Sequence, residues 1–166
     1  MYSDRRCSRR TENTVILEEM KQVSEFVAQA FEAKTVSVDV ETDSTDIPKG
    51  ARICGFGMGY RGKKKIETCY IPIRHEVFNK KRNLFGSQET VRNLDPVGVF
   101  RIVSPLIEDK SITKVAHNSK FEIQAFGVEN IRCKNIHCTM IISHLVYPER
   151  PNGLKPLLSA LFNEDL

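Results

Sequence analysis

No apolar run among the 166 residues approaches the roughly 18 that a bilayer-spanning helix needs, and the first residues lack the apolar stretch of a secretory signal. Neither a membrane span nor export is expected. The five cysteines are scattered, odd in number and contain no Cys-x-x-Cys pair. That argues against a disulfide scaffold or a paired-thiol metal site, and for reduced thiols in a cytoplasm. There is no internal repeat and no linker. Neither sign of charge dominates: the net formal charge of +4 is compatible with a nucleic-acid partner without being diagnostic of one.

What is present is the composition of an ordinary globular protein, 40% hydrophobic and 28% charged, at a length that builds one core without staples. Residues 1–13 read as a flexible basic arm and 14–166 as a single domain. Basic residues gather in DRRCSRR (4–10), RGKKK (61–65) and NKKRN (79–83). Such clusters are most often solvated tails or loops; phosphate contact is the minority reading.

Leu17, Met20, Val23, Val27, Ala30 and Phe31 recur at helical spacing and predict a helix over 17–33. Three strand-like segments follow: TVSVDVET (35–42), RICGFGMGY (52–60) and IETCYIPI (66–73). RGKKK joins the last two at hairpin distance, so an antiparallel meander is expected. Residues 74–94 read as a polar loop. Asp95 as N-cap and Pro96 at the first helical position open a helix, which Pro105 kinks or restarts. SITKVAH (111–117) is a short buried strand, SKFEIQAFG (119–127) a helix closed by Gly127, and NIRC (130–133) a fifth strand. TMIISHLVY (139–147) and GLKPLLSALF (153–162) complete the chain as helices. Strands first, then strands alternating with helices, predict a mixed α/β sheet with helices on its faces.

In TVSVDVET, Asp39 and Glu41 are two positions apart, so on a strand they point to one face. Two like charges that close cost energy unless something positive lies between them, and a divalent cation is the usual answer. The competing reading is a strand end with two solvated acids. The second constellation is KVAHNSKFEIQAF (114–126): a strand, then Asn118, then a helix bearing Glu122. Ser119-x-x-Glu122 also fits a capping box, with Glu122 bonding back to a backbone N–H. A zinc site from His75, His117, His137 and His144 with Cys133 and Cys138 is disfavoured, because Cys-x-x-x-His-Cys is not a standard zinc spacing.

Taken in order, these stretches resemble the 3′–5′ proofreading exonuclease domain of the DNA polymerase I family (family A), a branch of the ribonuclease H-like superfamily that also holds the ribonuclease D-type exonucleases. VSVDVETDSTD (36–46) is similar to the first exonuclease motif, a strand followed by Asp-x-Glu. CYIPIRHE (69–76) is similar to the third strand, which ends in a Pro and a His. VSPLIEDKSITKVAHNSKFE (103–122) is similar to the helix–strand–helix through the second motif, which closes on Tyr or Phe and then Asp. CTMIISHLVYP (138–148) is similar to the helix that usually begins Asp-Thr-Met. This chain departs twice, with Glu122 in place of the second motif's Asp and Cys138 in place of the Asp before Thr-Met. The third motif, Tyr-x-x-x-Asp, is absent from this stretch. Asp165 lies near its end without such surroundings, so a C-terminally incomplete domain is expected.

The resemblance implies a mixed five-stranded sheet, three strands antiparallel and two parallel, flanked by helices. It implies hydrolysis of 3′-terminal phosphodiester bonds with two Mg²⁺ or Mn²⁺ ions. Asp39 would bridge both ions, Glu41 would hold the one that generates hydroxide, and Glu122 would take the side of the second. Asn118, Phe121 and Thr42 would contact DNA; Asn118 reads equally as a helix cap and Phe121 as core. Proofreading accepts any base, so phosphate contacts and stacking should dominate. The implied partners are a single-stranded DNA 3′ end and a DNA polymerase chain or downstream segment, with no membrane and a cytoplasmic, replication-associated location. An apolar surface left open at 139–162 would favour self-association. The alternatives are a lapsed exonuclease fold that binds DNA or a polymerase, and one piece of a split polymerase.

Overall fold

The computed structural model describes residues 14–75 and 92–163. The basic arm at 1–13, the cluster at 79–83 and Asp165 lie outside them. Six strands form one sheet: β1 (Val15–Ile16), β2 (Thr35–Thr42), β3 (Ile53–Arg61), β4 (Ile66–Pro72), β5 (Thr113–Ala116) and β6 (Ile136–Cys138). Five helices accompany it: α1 (Met20–Ala33), α2 (Pro96–Glu108), α3 (Lys120–Val128), α4 (Thr139–Val146) and α5 (Leu154–Phe162). The spatial order is β1-β4-β3-β2-β5-β6. β2, β3 and β4 form the antiparallel meander, and β5 and β6 continue it as parallel neighbours. The expected five strands gain a sixth, since Val15 and Ile16 pair in parallel with Cys69 and Tyr70 at the edge. Two residues are too few to show a period of two in the sequence.

One face of the sheet carries the core. Val36, Val38 and Val40 of β2 are buried, and the register aligns them with Tyr60, Met58 and Phe56 of β3. Cys69 and Ile71 of β4 extend the same rows. Val23, Val27 and Ala30 of α1 and Val99, Val103, Leu106 and Ile107 of α2 are the buried residues of those helices. Rings lock the layers together: Phe56 stacks on Phe100 at 6.3 Å and meets Phe126 edge-on at 6.0 Å, while Phe26 meets Tyr60 edge-on at 5.0 Å. Each large apolar side chain buried this way contributes roughly 1.5–3 kcal/mol, more than any helix propensity involved.

Three local expectations are corrected. α2 runs as one helix through Pro105. The proline sits in the last turn, and the carbonyl it leaves without a partner belongs to the exposed Arg101. α3 continues past Gly127 to Val128, and the left-handed residue that reverses the chain is Asn130, φ 61°. The last strand is 136–138 rather than 130–133. Residues 131–134 are tied as a connection instead, Arg132 N–H to Glu108 Oε1 at 2.9 Å and Lys134 N–H to the Ile107 carbonyl at 3.2 Å. Asn135, φ 52°, then turns the chain into β6.

α4 and α5 keep much of their apolar surface in solvent. Ile141, Ile142, Leu145, Val146, Leu161 and Phe162 are all exposed. This is the open apolar surface expected at 139–162.

Candidate active site

Along β2 burial alternates strictly, so Ser37, Asp39 and Glu41 stand together on the face away from the core and all three are exposed. The register slips between Glu41 and Thr42: Glu41 faces Gly55, but Thr42 faces Ile53. Such a bulge twists a strand just beyond its last paired residues, and bulges recur beside active sites. Beyond it the Thr42 hydroxyl donates to the Ser44 carbonyl at 2.7 Å, which closes the polar turn.

The neighbouring strand offers no side chains on this face. Gly59, Gly57 and Gly55 of β3 lie opposite Ser37, Asp39 and Glu41, and on β4 they face Thr68, Tyr70 and Pro72. A Cβ added at Gly57 would meet only the Cys69 carbonyl, at 3.8 Å. Asp39 and Tyr70 therefore stand as two walls with a bare backbone floor between them.

α3 brings the third carboxylate. Asn118 takes a left-handed turn, φ 65°, between β5 and α3, and its carbonyl accepts the Phe121 N–H at 2.8 Å. Asparagine tolerates that conformation because its short amide relieves the strain. Ser119 makes no side-chain capping bond, and no capping box forms at this helix start. Glu122 is instead 2% exposed, and its Oε2 has no hydrogen-bond partner. Burial pushes its carboxyl up to about 7; its own backbone N–H pulls the other way, and the Asp39 charge adds to the rise. Although Asp39 is exposed as a whole, partial desolvation raises its carboxyl as well, with His117 pulling the other way. The structure thus brings Asp39 and Glu122 into electrostatic contact, with Glu41 on the Asp39 face. Phe121 is partly buried against the core, and Asn118 is exposed beside the acids' end of β5. The RGKKK turn sits four residues along β3 from the Gly57 that faces Asp39, about 14 Å away at the opposite end of the strand.

The sequence offered His117 only as part of a disfavoured zinc site, not as a neighbour of the acids. Its Nδ1 lies 2.9 Å from Thr139 Oγ1, and that hydroxyl donates to the Ala116 carbonyl at 3.2 Å. With the threonine proton so used, Nδ1 must carry the ring hydrogen. Nε2 is buried and without a hydrogen-bond partner. The glycine row and Tyr70 were missed as well. The alternation Gly-x-Gly-x-Gly at 55–59 was the available signal: on a strand it strips one face of side chains.

The donor set suits a hard divalent cation. It consists of carboxylate oxygens, one of them buried and without a partner, and oxygen ligands are what Mg²⁺ and Mn²⁺ take. Among the described residues no three His, Cys, Asp or Glu side chains converge into a ligand group. The acids present would therefore need waters or further ligands to complete a coordination shell. No described helix is long and apolar enough to cross a membrane.

A family model described as 3′–5′ exonuclease matches residues 14–166. The chain is 25% identical over 138 residues to a DNA polymerase I of Rhizobium leguminosarum, which covers 80% of this chain and 13% of the relative. The chain thus spans about an eighth of that relative's length. Among solved structures, Brucella melitensis NrnC with bound Mg²⁺ matches with a TM-score of 0.54 at 20% identity, over 92% of this chain and 61% of that one. Escherichia coli RNase D, an exoribonuclease involved in structured RNA processing, matches with a TM-score of 0.62 at 13% identity, over 93% and 35%. These last two likenesses show the fold.

Proposed function

Since this chain belongs to the 3′–5′ exonuclease family, we propose that it supplies the metal-dependent hydrolysis of 3′-terminal phosphodiester bonds in single-stranded DNA, as the proofreading unit of a family A polymerase. The observation that carries this reading is the buried Glu122 carboxylate, one oxygen of which has no partner and whose pKa burial raises with help from the Asp39 charge. A buried carboxylate oxygen without a partner is costly in a purely structural setting, and it is explained if a cation completes it.

Bound at these acids, Mg²⁺ or Mn²⁺ supplies a water of lowered pKa and charge stabilisation for the departing 3′ oxygen. Asp39 and Glu41 offer exposed oxygens from one rigid strand. Glu122 offers a third from behind, once it gives up the proton that its burial favours. The extra methylene of Glu122 relative to Asp shifts its carboxylate by about 1 Å, a misplacement that can cost on the order of 10²-fold in rate. Asn118 presents its amide at the end of β5, Phe121 a partly covered ring and Thr42 a lone pair and a methyl group; these are the groups for the frayed terminus.

RNA is the second substrate reading, favoured by the fold likeness to RNase D. A direct test compares 3′-labelled single-stranded DNA and RNA with Mn²⁺, using wild type and Asp39→Ala. Weak release of 3′ nucleotides that vanishes in Asp39→Ala is expected, with DNA cut faster. Degradation unchanged in Asp39→Ala would overturn the assignment, and faster cutting of RNA would reverse the substrate.

A further inference from the structure

Resting on the reading of Asp39 and Glu41 as cation-holding acids, we propose that Tyr70 is a positioning residue of this site. Held by His75, its hydroxyl hydrogen-bonds an oxygen ligand of the ion beside Glu41.

The register puts Tyr70 on the acids' face, across Gly57 from Asp39. Its ring leans along β4 to lie over Gly55, the residue paired with Glu41. A Cβ built on Gly55 would overlap the Tyr70 hydroxyl oxygen and lie 2.6 Å from Cζ and 3.0 Å from His75 Nε2. Only glycine admits the pair. The phenol oxygen therefore sits one strand over from Glu41, about 4.8 Å in backbone spacing.

Tyr70 Oη and His75 Nε2 are 2.6 Å apart. The chain around His75 is fastened on both sides. Its N–H donates to Asn93 Oδ1 and its carbonyl accepts from Asn93 Nδ2, each at 2.8 Å. The preceding Arg74 donates to Glu129 at 2.6 and 3.1 Å and to the Ile53 carbonyl at 2.9 Å. The ring is thus held in place rather than left to rotate in solvent.

The geometry leaves the hydroxyl proton free to serve the acids. Burial pushes the phenol up to about 12, and the charges of Glu41, Cys54 and Asp39 add to it in that order, so it stays a hydroxyl. The proposed role has the proton point toward the acids, with the oxygen accepting from His75 Nε2–H, the tautomer that this arrangement requires. Donors in series polarise one another. Neighbouring hydroxyls on this face are spent elsewhere: Ser37 donates to the Gly59 carbonyl and Thr68 to Thr14.

Calorimetry with Mn²⁺ on the full chain tests this, alongside thermal melting. Tyr70→Phe and His75→Ala should each weaken Mn²⁺ binding about fivefold with the fold intact, the weight of one hydrogen bond. His75→Gln, which returns a donor near the Nε2 position, should recover most of that loss. Gly55→Ala keeps both side chains but displaces them, and should match Tyr70→Phe. Wild-type Mn²⁺ affinity in a folded Tyr70→Phe protein overturns the proposal, as does a Tyr70→Phe loss that His75→Ala does not share. Asp39→Ala separates the levels. If it binds like wild type, the cation reading itself fails; if it loses binding while Tyr70→Phe does not, only the positioning role fails.

Discussion

Burial first, and then the charge of Asp39, raise the Glu122 carboxyl to a pKa of about 7, and one of its oxygens is buried and unpartnered. The acid on the strand therefore opposes ionisation of the acid on the helix. A cation between them would relieve that opposition, and so would a proton. This competition gives the site a pH dependence with a definite sign.

Glu122 carries a folded-state pKa raised from 4.5 to about 7. Its contribution to stability is fully present below about 4.5 and is lost as pH rises through 7. Thermal melting should therefore show the wild type less stable at pH 8 than at pH 5.5, by roughly 2 kcal/mol from this group. Glu122→Gln should flatten that slope and be the more stable protein at pH 8. A Glu122→Gln chain that melts lower than wild type at pH 8 would contradict the account.

Mn²⁺ must displace the same proton, so its affinity should climb as pH passes 7. Calorimetry at pH 6.5 and 8 measures this. Asp39→Ala should abolish the heat at both values and Glu41→Ala should reduce it strongly. Equal weak binding by wild type and Asp39→Ala would remove the cation site.

Arg74 forks onto Glu129, whose side chain is only 8% exposed, while Arg52 reaches the same carboxylate at 3.7 Å. Arg74→Ala removes the closer partner and leaves a nearly buried charge poorly compensated. Urea denaturation should register a loss of roughly 2–3 kcal/mol. A loss below 0.5 kcal/mol would show that Arg52 and water replace the pair.

The exposed apolar faces of α4 and α5 should drive association, with a second copy or with further polypeptide. Static light scattering should show a mass that rises with concentration. Leu145→Glu, at a position 76% exposed, should hold the chain monomeric without lowering its melting temperature. A wild-type monomer at every concentration would refute this.

Much of the fold was legible because it rests on local periodicity. The alternation in 35–42 put three valines inward and both acids outward, and the pattern of α1 showed which residues it buries. Asp95 capped α2 as its position announced, donated to by the Gly98 N–H at 2.6 Å. Where the elements were only two or three residues long, as in β1 and β6, there was no period to see. Their places depend on backbone pairing with distant strands, such as Ile136 opposite Lys114.

The site divides along the same line. The sequence by itself determined that Asp39 and Glu41 share a face, since side chains alternate on any strand. It also put a carboxylate near the start of the helix after β5. Whether Glu122 capped its own helix or turned inward was not a local matter, because both conformations suit the same four residues. Tertiary packing decided it by burying the side chain, with the Asp39 charge from the neighbouring strand adding to the effect of burial. The same holds for Tyr70, His75 and His117. Nothing local marked their places at this site, and only strand register and a glycine at position 55 bring Tyr70 and His75 to the face of the acids.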